Sequence, residues 1–169
     1  MKFRSALLIS TILLLSSTLS FAQDQADFNS GFEWVTLADA QVQAKESGKK
    51  ILLFGFAEWC TYCLKTRKET FPDSTVLASI SNYYIPVQLD GESDTEIEFN
   101  GQTLKENELA RYLRLTSFPT HYFIDSEGEI LGAQPGFIEP DIYTPLLDFV
   151  GTDSHKKMSF EEFFEKGGY

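Results

Sequence analysis

Two cysteines three positions apart, Cys60 and Cys63, lie in the stretch AEWCTYCLK and are the only cysteines of the chain. A pair at this spacing can close a disulfide, supply half of a metal site, or exchange disulfides with another molecule. One bridge around so short a loop restricts the unfolded chain little, which weakens a purely structural role.

The residues around the pair place it between a strand and a helix. Residues 49–56 (KKILLFGF) are an apolar run of strand length, and residues 61–69 have a helical pattern. Cys60 would then begin a helix, where free N–H groups and the helix dipole favour a thiolate. Cys63, one turn further on, could attack a mixed disulfide formed at Cys60. Trp59 would provide an apolar surface beside Cys60 on which a partner could dock.

Zinc binding is the main chemical alternative to redox chemistry. A structural zinc site has four ligands, so the cysteines would need both histidines of the chain, His121 and His155. These histidines lie 34 positions apart and form no paired motif. We expect His121 to be packed or hydrogen-bonded in a strand and His155 to be solvated, with no metal or other cofactor at the cysteines.

Alternating strand and helix patterns predict an α/β fold. Residues 32–35 are typical of a short edge strand, and Thr36 caps a helix over 37–46. Further helices are predicted at 74–81, 104–113, 140–150 and 158–166, further strands at 83–89, 120–124 and 129–132, and a small hairpin around Asn100-Gly101. This order predicts a central mixed sheet flanked by helices, with a short C-terminal helical extension.

The chain is acidic, with 25 Asp and Glu against 14 Lys and Arg among 169 residues. Nucleic acids and anionic membrane surfaces attract cationic proteins, so neither is an expected partner. The 15 Phe, 7 Tyr and 2 Trp residues are enough to build a packed core.

The first 22 residues have the pattern of a secretory signal. Lys2 and Arg4 precede an uncharged run at 6–19, and Ser20 and Ala22 occupy the positions that a signal peptidase reads. The run is shorter than the about 20 apolar residues that a transmembrane helix needs. We expect a signal peptide at 1–22, a loose leader at 23–31 and a single domain at 32–169. The mature protein would then be soluble and periplasmic, without direct membrane insertion.

A second informative stretch, Phe118-Pro119-Thr120, lies directly before a predicted strand hairpin. An apolar strand, W-C-x-x-C, and a later apolar-Pro-Thr in this order resemble the thioredoxin superfamily over residues 49–150. Within it, the chain resembles the C-terminal, periplasmic domain of the bacterial thiol:disulfide interchange reductase. That resemblance is carried by C-T-Y-C-L-K at 60–65, E-T-F at 69–71, D-S-T-V at 73–76, F-I-D-x-x-G at 123–128 and G-F at 136–137. The phenylalanines at 160–164 are similar to those of small periplasmic thioredoxins linked to sulfur metabolism.

The resemblance implies a role for each residue of the site. Cys60 would be the attacking thiol and Cys63 the resolving thiol. Pro119 would be a cis proline that faces them. The backbone beside Pro119, in Phe118 and Thr120, would pair with the bound substrate chain.

Two departures from the family pattern leave the chemistry partly open. Family members usually carry a buried aspartate five residues before the tryptophan, and here that position is Phe54. Glu58 could substitute for it in proton transfer, although a solvated charge is an equally good interpretation. Thr61 and Tyr62 stand between the cysteines where cytosolic thioredoxin has Gly-Pro, so the redox potential and preferred direction are not fixed by the motif.

We therefore expect an exported thioredoxin-like oxidoreductase that reduces disulfide-bearing protein substrates. A membrane-embedded electron donor would regenerate its thiols. The alternatives are a disulfide oxidase or isomerase of the same fold, and a module that binds or delivers metal through its thiols.

Overall fold

The computed structural model describes residues 31–167, which form two sheets packed among helices. The strands are β1 (Lys50–Phe56), β2 (Tyr84–Asp90), β3 (Glu96–Phe99), β4 (Gln102–Lys105), β5 (Thr120–Ile124) and β6 (Ile130–Pro135). The α-helices are α1 (Leu37–Ser47), α2 (Thr61–Lys65), α3 (Ser74–Tyr83), α4 (Glu106–Tyr112), α5 (Pro140–Gly151) and α6 (Phe160–Gly167). The predicted signal peptide at 1–22, and the predicted leader except residue 31, lie outside the described residues.

The main sheet is mixed, as predicted, and has the strand order β2-β1-β5-β6. β1 pairs with β2 in parallel and with β5 antiparallel, and β5 pairs antiparallel with β6. β1 is therefore a central strand, which explains why almost every residue in it is apolar and buried.

The two faces of β1 belong to two separate hydrophobic cores. Leu52 and Phe54 point into a core shared with both cysteines and with α3 and α5. Ile51 and Leu53 point the opposite way, into a core shared with α1 and α4. This alternation follows from the two-residue period of a strand and places helices on both sides of the sheet.

Residues 32–35 do not form the predicted edge strand. They are irregular, and one hydrogen bond ties them to the sheet, from the Val35 N–H to the Pro86 carbonyl, 3.0 Å. A longer ladder with β2 cannot form at this point because Pro86 has no N–H to donate in return.

The helix after the cysteines is shorter than predicted. α2 ends at Lys65, and a π-helical turn, Thr66–Thr70, completes the segment. The Thr66 hydroxyl donates to the Tyr62 carbonyl at 2.9 Å, a side-chain bond that competes with the helical backbone pattern and accompanies such bends.

The hairpin predicted around Asn100-Gly101 is present as β3 and β4. α4 begins two residues later than predicted because Lys105 is still paired in β4. The Glu108 carboxylate then accepts the Lys105 N–H at 2.9 Å, which closes the first turn of α4.

The predicted C-terminal helical extension is α6. The rings of Phe160 and Phe163 lie 5.5 and 5.4 Å from the ring of Phe149 in α5. α6 therefore docks its apolar side on the core that contains the cysteines.

Asp73 is the N-cap of α3, and its replacement by alanine should lower the free energy of unfolding by about 1 kcal/mol. Its carboxylate accepts the N–H groups of Thr75 and Val76 at 2.9 and 3.4 Å, which otherwise have no partner at a helix start. The Thr75 hydroxyl also donates to this carboxylate at 2.6 Å, and it lowers the pKa of Asp73 together with the backbone N–H groups of Thr75 and Val76. Denaturant unfolding of Asp73→Ala and of Asp73→Asn measures the effect. The asparagine keeps the acceptor, so an equal loss in both variants would contradict a capping role.

Candidate active site

Cys60 and Cys63 form a disulfide in the structure, with their Cα atoms 5.2 Å apart. Cys60 is the N-cap of α2, and its Sγ accepts the N–H of Cys63 at 3.0 Å. Both residues are buried, with exposed fractions of 6% for Cys60 and 3% for Cys63. Cys60 thus lies at the positive end of the helix and is the slightly less buried residue of the two.

The turn between β1 and α2 brings the pair to one end of the sheet. The Cys60 N–H donates to the Ala57 carbonyl at 3.0 Å, and the Cys60 carbonyl accepts the N–H of Leu64 at 3.1 Å. β1 is buried along almost all of its length, and only four residues separate its end from the start of α2, so the central strand positions the disulfide.

Two aromatic residues, Trp59 and Phe118, lie on one side of the disulfide. Trp59 has 67% of its surface exposed, and its ring lies edge-on to Phe118 at 5.8 Å. The Trp59 indole N–H donates to the Glu92 carboxylate at 2.9 Å. A side chain at Gly91 would meet the Phe118 ring at 2.7 Å, so glycine is required there to seat Phe118. Glu92, in the acidic stretch 91–98, therefore helps to hold the Trp59 ring in place.

Pro119 and Thr120 connect Phe118 to β5. The peptide bond between Phe118 and Pro119 is cis, in agreement with the resemblance. The Pro119 carbonyl accepts the N–H of Gly136 at 2.8 Å, and the Thr120 hydroxyl donates to the Ser117 carbonyl at 2.8 Å. Both residues are buried, whereas Phe118 is half-buried.

A second group of side chains lies beyond α2. Tyr62 has 62% of its surface exposed, and its ring is 6.5 Å from that of Phe137. The Lys65 ammonium lies 3.9 Å from the centre of the Phe137 ring and 3.6 Å from the Glu139 carboxylate. The surface around the disulfide is therefore aromatic on both sides, with acidic groups further out.

Glu58, predicted as a possible proton-transfer group, is exposed. Its charge acts on the guanidinium of Arg67, where it opposes the effect of burial on the pKa. Glu58 was selected from the sequence because it is adjacent to Trp59. Adjacency along the chain does not by itself bring a carboxylate to the sulfurs.

Phe54, at the position where a carboxylate was expected, is completely buried and faces the core of the cysteines. Its partner across the ladder is His121, whose ring lies 5.3 Å away. His121 Nδ1 is 2.8 Å from the Tyr143 hydroxyl, and its Nε2 has no hydrogen-bond partner. Burial lowers the pKa of His121 to about 3, an effect that the backbone of Gly136 opposes. His121 is therefore neutral, packed and hydrogen-bonded, as its place in a strand predicted.

Sequence reasoning missed Arg67. Its guanidinium carbon lies 4.4 Å from the centre of the Phe56 ring and 5.7 Å from that of Phe54. Arg67 follows Cys63 by four residues, a spacing that shares a helix face, so the position could have been found from the predicted helix alone.

The residues that the structure describes contain no group of three or more His, Cys, Asp and Glu side chains arranged to hold a metal ion. His121 Nδ1 is within hydrogen-bonding distance of the Tyr143 hydroxyl. The ring of His155 lies 6.1 Å from that of Phe149 in α5. His155 is half-buried, and its Nδ1 atom is shielded from solvent.

Comparisons with known proteins agree with this geometry. Residues 37–151 match the thioredoxin-like domain family. The thiol:disulfide interchange protein DsbD of Citrobacter koseri is 28% identical over 140 residues, which cover 74% of this chain and 23% of the relative. The disulfide bond reductase DsbH of Chlamydia pneumoniae is 29% identical over 110 residues, which cover 62% of this chain and 64% of the relative. The chain thus spans less than two thirds of either relative.

The fold also has solved counterparts. A thioredoxin-fold protein from Helicobacter pylori superimposes with a TM-score of 0.65 at 18% identity, over 84% of this chain and 89% of that one. This likeness confirms the predicted fold class, and the relatives confirm the resemblance to the interchange reductase. The chain belongs to the thioredoxin-like domain family, and it carries a disulfide between Cys60 and Cys63.

Proposed function

We propose that this chain is an exported thiol–disulfide oxidoreductase that reduces disulfide bonds in partner proteins. The observation that carries the proposal is the Cys60–Cys63 disulfide. Cys60 is the N-cap of α2, and the pair follows the end of the buried central strand β1. A pair in this position can cycle between disulfide and dithiol without a bound cofactor.

The proposed reaction transfers two electrons from the dithiol to the partner. The Cys60 thiolate attacks one sulfur of the partner disulfide, and the other partner sulfur leaves as a thiolate. Cys63 then attacks the Cys60 sulfur, so that the Cys60–Cys63 bond forms and the bond to the partner breaks. The partner leaves with two thiols, and the chain is left with its own disulfide.

The surface beside Cys60 suits a protein partner. Trp59 and Phe118 offer apolar area next to the sulfur, and Glu92 holds the Trp59 ring in one orientation. An aromatic ring that is already fixed loses little conformational entropy when a partner covers it. We propose that Phe118, Pro119 and Thr120 form the edge along which an extended partner segment lies.

The proposed direction is reduction. The relative from Chlamydia pneumoniae is named a disulfide bond reductase, which supports this choice. A reductant that works outside the cytoplasm is oxidised by every turnover and must be reduced again. We propose a membrane-embedded thiol reductase as the electron donor.

The proposed location is the periplasm. The signal pattern at 1–22 supports export. Among the described residues no helix is long and apolar enough to cross a membrane.

The redox potential of the Cys60–Cys63 pair tests the proposed direction. Equilibration with glutathione buffers, followed by quantification of free thiols, should give a potential close to that of thioredoxin, about −270 mV. A potential near the about −120 mV of a strong disulfide oxidant would overturn the reductant assignment and favour the oxidase alternative.

A further inference from the structure

The ring of Phe54 lies between two nitrogen-bearing side chains. The Arg67 guanidinium carbon is 5.7 Å from the ring centre, and the His121 ring centre is 5.3 Å from it. Arg67 Nε and His121 Nε2 are both buried and have no hydrogen-bond partner. The side of the sheet that carries the cysteines therefore holds one permanent positive charge and one neutral imidazole beside Phe54.

Arg67 is held in place by its other contacts. Its Nη2 donates to the side-chain oxygen of Gln88 in β2 at 3.0 Å, and its guanidinium carbon lies 4.4 Å from the centre of the Phe56 ring. Burial lowers the pKa of Arg67, and the charges of Glu58 and Asp90 oppose that shift. A guanidinium stays protonated in proteins, so Arg67 is a fixed, half-buried cation with one N–H group unused.

Arg67 follows Cys63 by four residues and is the second residue of the π-helical turn that continues α2. Residues four apart in an α-helix have Cβ atoms about 5–6 Å from each other, and the backbone is still right-handed helical at Thr66, so Cys63 and Arg67 are neighbours along this segment. Cys63 is 3% exposed and packs in the same core as Phe54, over which the guanidinium lies. Burial without a nearby charge would raise the pKa of a thiol, whereas a nearby cation lowers it.

The other charged groups around α2 do not replace this cation. The Lys65 ammonium lies 3.9 Å from the centre of the Phe137 ring and is paired with Glu69 and Glu139, each at 3.6 Å. Glu58 and Asp90 are acidic and would disfavour a thiolate, and His121 is neutral.

We propose that Arg67 is a positioning residue that stabilises the thiolate of Cys63 in the reduced protein and so accelerates release of the partner. The proposal deepens the proposed function and rests on it. Cys63 gives its proton to water, and its thiolate attacks the Cys60 sulfur of the mixed disulfide. The Cys60–Cys63 bond forms, the Cys60–partner bond breaks, and the departing partner thiolate takes a proton from water. No carboxylate is needed to remove the proton from Cys63.

Titration of Cys63 in the full chain tests the electrostatic part of this proposal. In a Cys60→Ser background, Cys63 is the only thiol, and the ultraviolet absorbance of its thiolate gives its pKa. Arg67→Gln should raise the pKa of Cys63 by about one unit, and Arg67→Lys should restore most of the difference. Lys68→Gln removes the same charge from the exposed neighbouring position and should leave the pKa within a few tenths of a unit. Equal pKa values in the Arg67→Gln and Lys68→Gln variants would overturn the proposal.

The release step provides an independent readout. Reduced protein with both cysteines is mixed with an aromatic disulfide, and the liberation of the second chromophoric thiol reports the attack of Cys63 on Cys60. At pH 7, Arg67→Gln should slow this step about three-fold, because a tenfold loss of thiolate is partly offset by higher nucleophilicity. Above the pKa of Cys63 in both proteins the order should reverse, because only the higher nucleophilicity of the variant thiolate then remains, and a merely structural role would not produce this reversal. A slowing that persists unchanged at high pH would contradict the proposal.

The two assays separate failure of the inference from failure of the proposed function. The thiol titration does not require any protein partner to be reduced. A chain that fails to reduce protein disulfides but shows the Arg67-dependent pKa would overturn the function and leave the electrostatic pairing standing. Thermal unfolding of the oxidised Arg67→Gln protein checks that the variant is folded.

Discussion

Replacement of Cys60 by serine should abolish reduction of a test protein disulfide. Cys60 is the N-cap of α2, where a thiolate is favoured, and it is the less buried cysteine of the two. Cys63 is more deeply buried, so it should not take over the first attack. The measurement is the turbidity of insulin, or the thiol yield from another disulfide protein, with a chemical reductant supplying electrons.

Replacement of Cys63 by serine should have a different consequence, because the first attack remains possible and the release step does not. Cys63→Ser should therefore accumulate mixed disulfides through Cys60, visible as higher-mass bands that a thiol reagent removes. The double variant Cys60→Ser with Cys63→Ser should capture nothing. Activity that survives in Cys60→Ser, or trapping by Cys60→Ser in place of Cys63→Ser, would contradict the assigned roles.

Acid should destabilise the folded protein through His121. Burial lowers the pKa of His121 to about 3, whereas a histidine in the unfolded chain has a pKa of about 6.5. Above the unfolded value the imidazole is neutral in both states. Between the two values the unfolded chain binds a proton that the folded chain does not, so the free energy of unfolding falls as the pH falls. From about pH 6.5 to pH 4 this amounts to about 3 kcal/mol.

Denaturant unfolding across this pH range measures the effect. His121→Gln should flatten the slope between pH 6.5 and pH 4, even if its stability at neutral pH is lower because Tyr143 loses its partner. His155→Gln, which changes the other histidine, should keep the slope of the unchanged protein. A His121→Gln variant with the full slope would contradict the assignment.

The sequence predicted the parts of the site that depend on local pattern. An apolar run directly before Cys60 gave the buried strand, and helical spacing after Cys63 gave α2. The hairpin at Asn100-Gly101 follows from two residues that tolerate positive φ, which they adopt in the structure. These features are encoded within a few neighbouring residues, so no tertiary information was needed.

Other parts of the site depend on contacts between distant segments. The bond between Trp59 and Glu92 joins residues 33 positions apart. The pairing of Phe54 with His121 depends on the strand register, which places β5 beside β1. Glu58 was chosen because it adjoins the motif, while Arg67 was overlooked because a charged residue in a short helix usually faces solvent. The irregular segment at 32–35 and the π-helical turn also arise from single contacts, at Pro86 and Thr66.

The contact between the first described residues and β2 has a consequence for self-association. β2 is an outer strand of the main sheet, and an outer strand exposes unpaired N–H and C=O groups that another chain can extend. Midway along β2, Pro86 has no N–H to offer, and its outward carbonyl already accepts the N–H of Val35. A foreign strand that approaches this edge finds the middle of the ladder occupied. The edge is therefore protected against intermolecular sheet growth in both redox states, because neither group belongs to the cysteine pair.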